Sequence, residues 1–195
     1  MSTPKALYIL GAGNDKKCYS DADRDEIARL LDVTAPPQTR DGIREHLDLL
    51  QDVEIIMSAW GGPHMDEEFL AHAPALEAVF YAAGSIKGLV TDAFWQRDIS
   101  ICSAWGANGV PVAEYCLSQI LWGLKLGHKF MRQTRQKIWG HGQAPVFGGY
   151  DSTVGIISLG MIGRYVCELL RPFDINVIAY DPFAEQAQAD ELGVE

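Results

Sequence analysis

The stretch Thr153-Val-Gly-Ile-Ile-Ser-Leu-Gly-Met-Ile-Gly-Arg164, followed by Val177-Ile-Ala-Tyr-Asp181, decides the fold of this chain. It predicts a strand, a tight turn, a helix and a second strand that ends at an acid. The short apolar run at 154–157 is typical of a strand buried on both faces. Apolar residues at 162, 166, 169, 170 and 173 follow helical spacing, so one face of the helix should pack on a sheet.

The same stretch predicts a binding site for the adenosine half of a dinucleotide. A helix N-terminus has unpaired N–H groups and a partial positive charge, which stabilise a pyrophosphate. Gly160 would let the backbone approach the phosphates, and Gly163 would let helix and strand pack closely. Asp181 follows Gly163 by 18 residues, near the roughly 20 expected for the acid that binds the ribose hydroxyls. This acid favours NAD and repels the extra phosphate of NADP.

Ser158 departs from the glycine pattern, because it stands where the first glycine of G-x-G-x-x-G is expected. A serine can make this turn if its φ stays negative. The alternative interpretation of the segment is a βαβ unit that binds no ligand.

Composition excludes several classes of function. The 195 residues are 48% hydrophobic, which indicates a packed core, and carry a net charge of −10 without a basic run. Binding to nucleic acid or to an anionic membrane is therefore not expected. The apolar run at 6–10 is too short for a signal peptide, and no stretch can span a bilayer. The four cysteines lack metal-ligand spacing, so we expect free thiols in a reducing cytoplasm and no metal.

The first hundred residues alternate strands with helices, which predicts a parallel sheet covered on both faces. We expect strands at 6–10, 53–57, 78–81 and 99–102, and helices at 42–50, 66–72 and 92–97. A further helix should contain Ile27 and Leu30, with Ser20 and Asp23 at its cap. The glycines at 11 and 13 also follow a strand; a plain turn and a phosphate loop both stay open, and the turn is favoured.

A long helix at 111–137 should follow, with Pro111 as its first helical residue. A helix between two sets of strands and helices can bridge two domains. We therefore place the junction at 104–111, with domains at 1–106 and 107–195.

Several separate pieces resemble the D-2-hydroxyacid dehydrogenase family, in its phosphoglycerate dehydrogenase-like form. They are the nucleotide turn, the strand end Ala179-Tyr-Asp-Pro182, the hinge Ala107-Asn-Gly-Val-Pro-Val-Ala-Glu-Tyr115, the R-x-x-x-W stretch at 135–139 and the loop Tyr81-Ala-Ala-Gly-Ser85. They keep the order of the family and span nearly the whole chain. The resemblance implies an α/β fold: a flavodoxin-like parallel-sheet substrate domain, then the first βαβ of a Rossmann nucleotide-binding domain.

The resemblance also implies roles for individual residues. NAD is the expected cofactor, held at its pyrophosphate by Ser158, Gly160, Met161, Ile162 and Gly163 and at its ribose by Asp181. Met161 departs from the arginine often found at its position, and Val112 should pack near the nicotinamide. A small 2-keto or 2-hydroxy acid should meet the loop Ala83, Gly84 and Ser85, with Trp60 and Gly61 near the substrate cleft.

The catalytic groups of the family are an arginine, a glutamate and a histidine, and no residue of this chain matches their positions. The histidines at 46, 64, 72, 128 and 141 all precede the nucleotide turn, so we expect them to be structural or solvated. We therefore expect an N-terminal portion of a longer NAD-dependent oxidoreductase, silent when made alone and homodimeric in its full form. A non-catalytic NAD-sensing interaction module is the main alternative. Formate as hydride donor ranks lower, because the loop at 82–87 lacks an obvious formate dehydrogenase pattern.

Overall fold

The computed structural model describes residues 3–138, 146 and 148–195. The chain divides into two compact units, Met1–Trp105 and Gly106–Glu195, and each is described by itself.

Unit 1 is built on a five-stranded parallel sheet. Its strands are β1 (Lys5–Ile9), β2 (Asp32–Val33), β3 (Ile55–Ser58), β4 (Ala78–Tyr81) and β5 (Ser100–Ser103). They are arranged in the order β2-β1-β3-β4-β5, and every pairing is parallel. This is the flavodoxin-like order, in which all strands present their carboxyl ends at one edge. The predicted α/β class and parallel sheet are confirmed.

Four of the helices described in unit 1 begin at a residue whose side chain accepts a hydrogen bond from the first turn of the helix. The helices of this unit are α1 (Asn14–Cys18), α2 (Asp21–Leu30), α3 (Arg40–Glu45), a 3₁₀ helix (Leu47–Leu50), α4 (Glu67–His72) and α5 (Asp92–Trp95). Ser20 and Asp23 form the predicted capping box of α2, and Asp66 caps α4. Each cap satisfies an N–H group that the helix itself leaves without a partner.

The sheet of unit 1 separates two apolar clusters. Leu7, Ile56 and Val79 pack on one face with the fully buried rings of Phe69 and Phe94. Tyr8, Met57 and Tyr19 form a smaller cluster, and the Tyr19 hydroxyl donates to the Ser58 carbonyl at 2.8 Å. Because the strands alternate their side chains, each face uses every second residue.

In unit 1, one prediction was wrong and two elements were missed. Strand β2 was missed, because its two residues are too short to show a periodicity. The expected helix at 42–50 is instead two short helices that meet at His46, whose backbone is not helical. The glycines at 11 and 13 form the favoured turn, and Gly13, at φ +74°, leads into helix α1, which was not predicted.

Unit 2 contains a parallel pair of strands packed on helices. Its elements are α6 (Trp105–Leu124, which begins at the last residue of unit 1), α7 (Gly127–Arg135), β6 (Ser152–Ile157), α8 (Met161–Leu170), β7 (Ile175–Tyr180) and α9 (Gln186–Leu192). The order β6-turn-α8-β7 confirms the predicted strand, turn, helix and strand. The backbone of Glu195 also pairs with Val177 and Ala179 along β7.

The long helix predicted at 111–137 is wrong at its start and in its middle. Helix α6 begins six residues before Pro111, which therefore lies inside the helix. The helix breaks near Leu126, which adopts φ 54°, and the Trp122 ring lies directly against Gly127, where a Cβ would come within 2.3 Å of it. Trp139 of the predicted R-x-x-x-W stretch and the loop at 141–145 and 147 lie outside the described residues.

The prediction that the strand at 154–157 is buried on both faces is also wrong. Burial alternates along β6 and β7. Val154, Ile156 and Val177 pack against α6, α8 and α9. On the other face, Ile157 is 85% exposed and Tyr180 67% exposed. An apolar run in the sequence predicts a strand, but it does not show whether other elements cover one face of that strand or both.

Candidate cofactor and substrate sites

The turn between β6 and α8 is made by Ser158 in a left-handed conformation. Its φ is +81°, which contradicts the expectation of a negative φ. The β6–β7 pairing continues one step beyond the strands, because Ser158 N–H donates to the Tyr180 carbonyl at 2.7 Å. The pairing fixes the turn although a non-glycine residue at positive φ costs energy.

The two glycines of the turn differ in what they permit. A Cβ on Gly163 would come within 2.0 Å of the Ser158 carbonyl oxygen, so only glycine fits there. A Cβ on Gly160 would have its nearest neighbour, the Ser158 hydroxyl, at 3.7 Å, and its φ of −64° is open to any residue. Gly163 is therefore required by packing. Gly160 is not required by the fold, so a ligand that approaches its backbone would be the reason for glycine there.

The N-terminus of α8 is open for an anion. Gly160 is its N-cap and provides no side-chain acceptor. The Gly160 carbonyl accepts the first hydrogen bond of the helix, from Arg164 N–H. Within the described residues, the N–H groups of Met161, Ile162 and Gly163 have no acceptor outside the helix. Such groups, together with the helix dipole, bind phosphate.

Asp181 stands at the end of β7 and faces this turn. One carboxylate oxygen accepts from Leu159 N–H at 2.7 Å and from the Ser158 hydroxyl at 3.4 Å. The other accepts from Phe183 N–H at 2.8 Å. The hydrogen bonds from Phe183 and Leu159 lower the pKa of Asp181 below its ordinary value. The carboxylate is therefore ionised and held in a fixed orientation, which suits a ribose diol.

Met161 lies where α6 approaches the start of α8. A Cβ on the buried Gly109 would come within 2.1 Å of the Met161 methyl group, so Met161 packs into space left by this glycine. The departure from arginine at 161 therefore coincides with a packing contact. Val112, three residues beyond Gly109, is partly exposed; its place near a nicotinamide stays a prediction.

Arg164 belongs to this site and was missed. Its Nε donates to the Leu159 carbonyl at 2.7 Å. The sequence shows an arginine after the third position of the glycine pattern, but gives no indication that its side chain folds back on the turn.

The predicted substrate residues lie at the carboxyl edge of the unit 1 sheet. Trp60 and Gly61 follow β3, and the Trp60 carbonyl accepts from Gly11 N–H at 2.8 Å and from the Asn14 amide at 2.8 Å. Gly61 has φ +77°, and a Cβ there would come within 2.7 Å of Gly11. Gly61 is therefore used to pack two loops together, while the Trp60 ring is exposed.

The loop after β4 contains the three residues predicted to meet the substrate carboxylate. Ala83 is fully buried, and its N–H donates to the Tyr81 carbonyl at 2.8 Å. Gly84 and Ser85 follow it, and within the described residues their N–H groups have no backbone acceptor. Of the three predicted residues, Gly84 and Ser85 therefore remain as the candidate N–H donors to a substrate carboxylate.

Arg40 and Tyr81 are further residues at this edge that were missed. Arg40 Nε donates to the Gly62 carbonyl at 2.7 Å, and in the described chain no acid pairs with this guanidinium. Burial raises the pKa of the Tyr81 hydroxyl, and the charge of Arg40 opposes that rise. A cation and a hydroxyl therefore lie near the loops after β3 and β4. Only the fold brings position 40 to this edge.

The described residues contain no group of three or more His, Cys, Asp or Glu side chains placed to hold a metal ion. No described helix has the length and apolar character needed to cross a membrane. The four cysteines are free thiols.

Comparison with known proteins identifies relatives for both units. Residues 117–195 match the family D-isomer specific 2-hydroxyacid dehydrogenase, NAD binding domain. D-3-phosphoglycerate dehydrogenase of Mycobacterium leprae is 31% identical over 131 residues, which are 67% of this chain and 25% of that protein. A phosphoglycerate oxidoreductase from Rhizobium etli superposes with a TM-score of 0.71 at 20% identity, over 98% of this chain and 59% of its own. A D-lactate dehydrogenase from Aquifex aeolicus, complexed with NAD and lactic acid, superposes with a TM-score of 0.69 at 18% identity, over 98% of this chain and 55% of its own.

The fold and the turn define an α/β protein with a dinucleotide-binding βαβ unit. Residues 117–195 match the NAD-binding domain of the D-isomer specific 2-hydroxyacid dehydrogenase family, and the relatives above support the placement of the chain in this family. The chain spans about a quarter of the length of the curated relative above and more than half of the solved structures.

Proposed function

We propose that this chain is part of an NAD-dependent oxidoreductase that acts on D-2-hydroxy acids. In that enzyme it would bind NAD and a small 2-keto or 2-hydroxy acid. The observation that carries the proposal is Asp181, an ionised carboxylate held beside the open N-terminus of α8. The pyrophosphate would lie on the N–H groups of Met161, Ile162 and Gly163. Asp181 would accept from the ribose hydroxyls and exclude NADP by charge repulsion.

The acid would bind at the carboxyl edge of the unit 1 sheet. Gly84 and Ser85 would donate their backbone N–H groups to its carboxylate, and Arg40 would supply the positive charge. Trp60, exposed at the same edge, would line the cleft. Charge-assisted hydrogen bonds of this kind are the strong ones in carboxylate recognition.

We further propose that these 195 residues do not catalyse the reaction by themselves. Bound NAD supplies or accepts the hydride, but the carbonyl also needs a cation to polarise it and an acid to give a proton. In the described part of unit 2 the one histidine is His128, whose ring lies 6.1 Å from that of Trp122 and not at the turn. General acid–base catalysis alone contributes about 10²–10⁴-fold.

Two measurements on the chain test these proposals. NADH oxidation with a panel of 2-keto acids should stay at background, and turnover by the chain would contradict its proposed silence. In an amide NMR titration with pyruvate, we expect shifts at Gly84 and Ser85. Arg40→Met should weaken that binding about tenfold. Arg29→Met, a charge-matched change on α2, should not. Equal effects of the two variants would remove Arg40 from the site.

We also propose that the full-length protein is a cytoplasmic homodimer that uses α6 and α7. Trp122 is 46% exposed despite its contact with Gly127, and Leu126 and Phe130 follow on the same segment. Light scattering of the full-length protein at micromolar concentration should give twice the monomer mass, and a monomeric mass would contradict the proposal. A mass that depends on NAD in an inactive protein would favour the alternative of an NAD-sensing interaction module.

A further inference from the structure

Leu159 is held on both sides by side chains of the nucleotide turn. Its N–H donates to Asp181 Oδ2 at 2.7 Å, and its carbonyl accepts from Arg164 Nε at 2.7 Å. Its own side chain is buried in a cluster with Cys167 and Leu192. One residue therefore links the carboxylate at the end of β7 to a guanidinium in the first turn of α8.

The residues on either side of Leu159 are exposed, so its position depends on its two hydrogen bonds and its buried side chain. Ser158, before it, is exposed and adopts a φ of +81°. Gly160, after it, is exposed and is not fixed by a capping side chain. Among the described residues, Arg164 is the one donor that reaches the Leu159 carbonyl. Without it, that carbonyl would have no hydrogen-bond donor among the described residues.

Within the described part of the chain, the Arg164 side chain has no second hydrogen-bond or ion-pair partner that would explain its position. It is half-buried, and none of the ion pairs seen within the described residues includes it. Arg164 and Asp181 are therefore linked through their hydrogen bonds to the backbone of Leu159.

We propose that Arg164 is a positioning residue for the adenosine ribose, which acts through Leu159 on Asp181 and does not touch NAD. By fixing the Leu159 carbonyl, it keeps the Leu159 N–H aimed at Asp181, and the carboxylate keeps the orientation that the ribose diol needs. This inference rests on the proposed binding of NAD at Asp181.

The test uses the 195-residue chain and two matched variants. Arg164→Met keeps the length of the side chain but removes the donor. Arg171→Met removes the same charge from the other end of α8, where Arg171 donates to the Glu191 carbonyl at 3.2 Å. We expect Arg164→Met to weaken NAD about fivefold, as expected for one lost hydrogen bond, and Arg171→Met to leave it unchanged. Equal affinities of the two variants would overturn the proposal.

The route through Asp181 is tested by a double-mutant cycle and a smaller ligand. In an Asp181→Ala background, Arg164→Met should have no further effect on NAD binding. Adenosine, which has the ribose but no phosphate, should lose as much affinity as NAD. A loss that persists without Asp181, or that affects NAD and spares adenosine, would indicate a direct phosphate contact and would overturn the proposal.

A measurement without ligand separates this inference from the proposed function. In the free chain, Arg164→Met should speed hydrogen exchange of the Leu159 amide about fivefold, while Arg171→Met should not. Unchanged exchange would refute the role of Arg164 even if NAD binds. If the unmodified chain does not bind NAD, the proposed function fails while the exchange result stands. Arg164→Gln is the second variant if Arg164→Met does not fold.

Discussion

The two sheets of this chain have similar apolar sequence patterns, but their strands are buried to different extents. In unit 1, five parallel strands carry apolar clusters, and Leu7, Ile9 and Ile56 are fully buried. In unit 2, β6 and β7 pack one face on helices, while Ile157 and Tyr180 on the other face stay exposed. We therefore expect the hydrophobic core to dominate the stability of unit 1, and the packing and hydrogen bonds of one turn to have a larger share in unit 2.

The comparison predicts its largest effect in the unit 1 core. Phe69 is fully buried and Phe183, beyond β7, is 93% exposed. Phe69→Ala should lower the free energy of unfolding of unit 1 by about 3–5 kcal/mol, the usual cost of a cavity of this size. Phe183→Ala should change stability by less than about 0.5 kcal/mol. Denaturant unfolding measures both, and similar costs would remove the distinction between the two phenylalanines.

In unit 2, the turn should be the sensitive element. Gly163→Ala places a Cβ within 2.0 Å of the Ser158 carbonyl, whereas Gly160→Ala finds its nearest atom at 3.7 Å. We expect the first change to destabilise unit 2 by about 1–3 kcal/mol because the backbone must move. The second should leave folding nearly unchanged. Thermal unfolding of the two variants tests this difference, and equal stability would show that the turn is softer than its packing indicates.

Much of the secondary structure could be predicted from the sequence, because it depends on local patterns, whereas the different burial of the two sheets could not. The strand at 78–81, the capping box of Ser20 and Asp23 and the β6-turn-α8-β7 order all depend on neighbouring residues. The remainder depends on distant contacts. The break at Leu126 coincides with the packing of the Trp122 ring against Gly127, and the exposure of Ile157 depends on which elements cover its face.

For the site as well, the sequence predicts the residues that belong to a local motif and misses those that act through distant contacts. Asp181 and Gly163 were predictable from their spacing, since the motif fixes both by counting residues. Arg40 and Arg164 were not, because each acts through a carbonyl, of Gly62 or of Leu159, that only the fold brings within reach.

A smaller effect is expected at Ser158. Its φ of +81° costs a serine energy that a glycine does not pay. Ser158→Gly also loses a hydrogen bond to Asp181 that is long, at 3.4 Å. We expect a net gain of about 0.5 kcal/mol in the unfolding free energy of unit 2. Calorimetry can detect it, and a loss of stability would show that the serine hydroxyl matters more than the strained backbone.

The acid dependence of unit 2 should show the smallest effect, because Asp181 is only partly buried. Its folded pKa is lowered by hydrogen bonds from Phe183 and Leu159. The stability that these bonds contribute is therefore present above the unfolded pKa of about 3.9 and is lost as the pH falls through the lower folded value. Asp181→Asn should flatten the acid limb of the stability profile of unit 2 below pH about 4. An unchanged acid limb would assign that pH dependence to other carboxylates.

The most direct test of the central claim is a titration of the 195-residue chain with NAD and with NADP, followed by amide NMR. NAD should shift the amides of Met161, Ile162 and Gly163 and bind at least about tenfold more tightly than NADP. Asp181→Ala should weaken NAD and remove that preference. Equal binding of the two cofactors by the unmodified chain, or no shift at the start of α8, would contradict the assignment of this turn and Asp181 to the adenosine half of NAD.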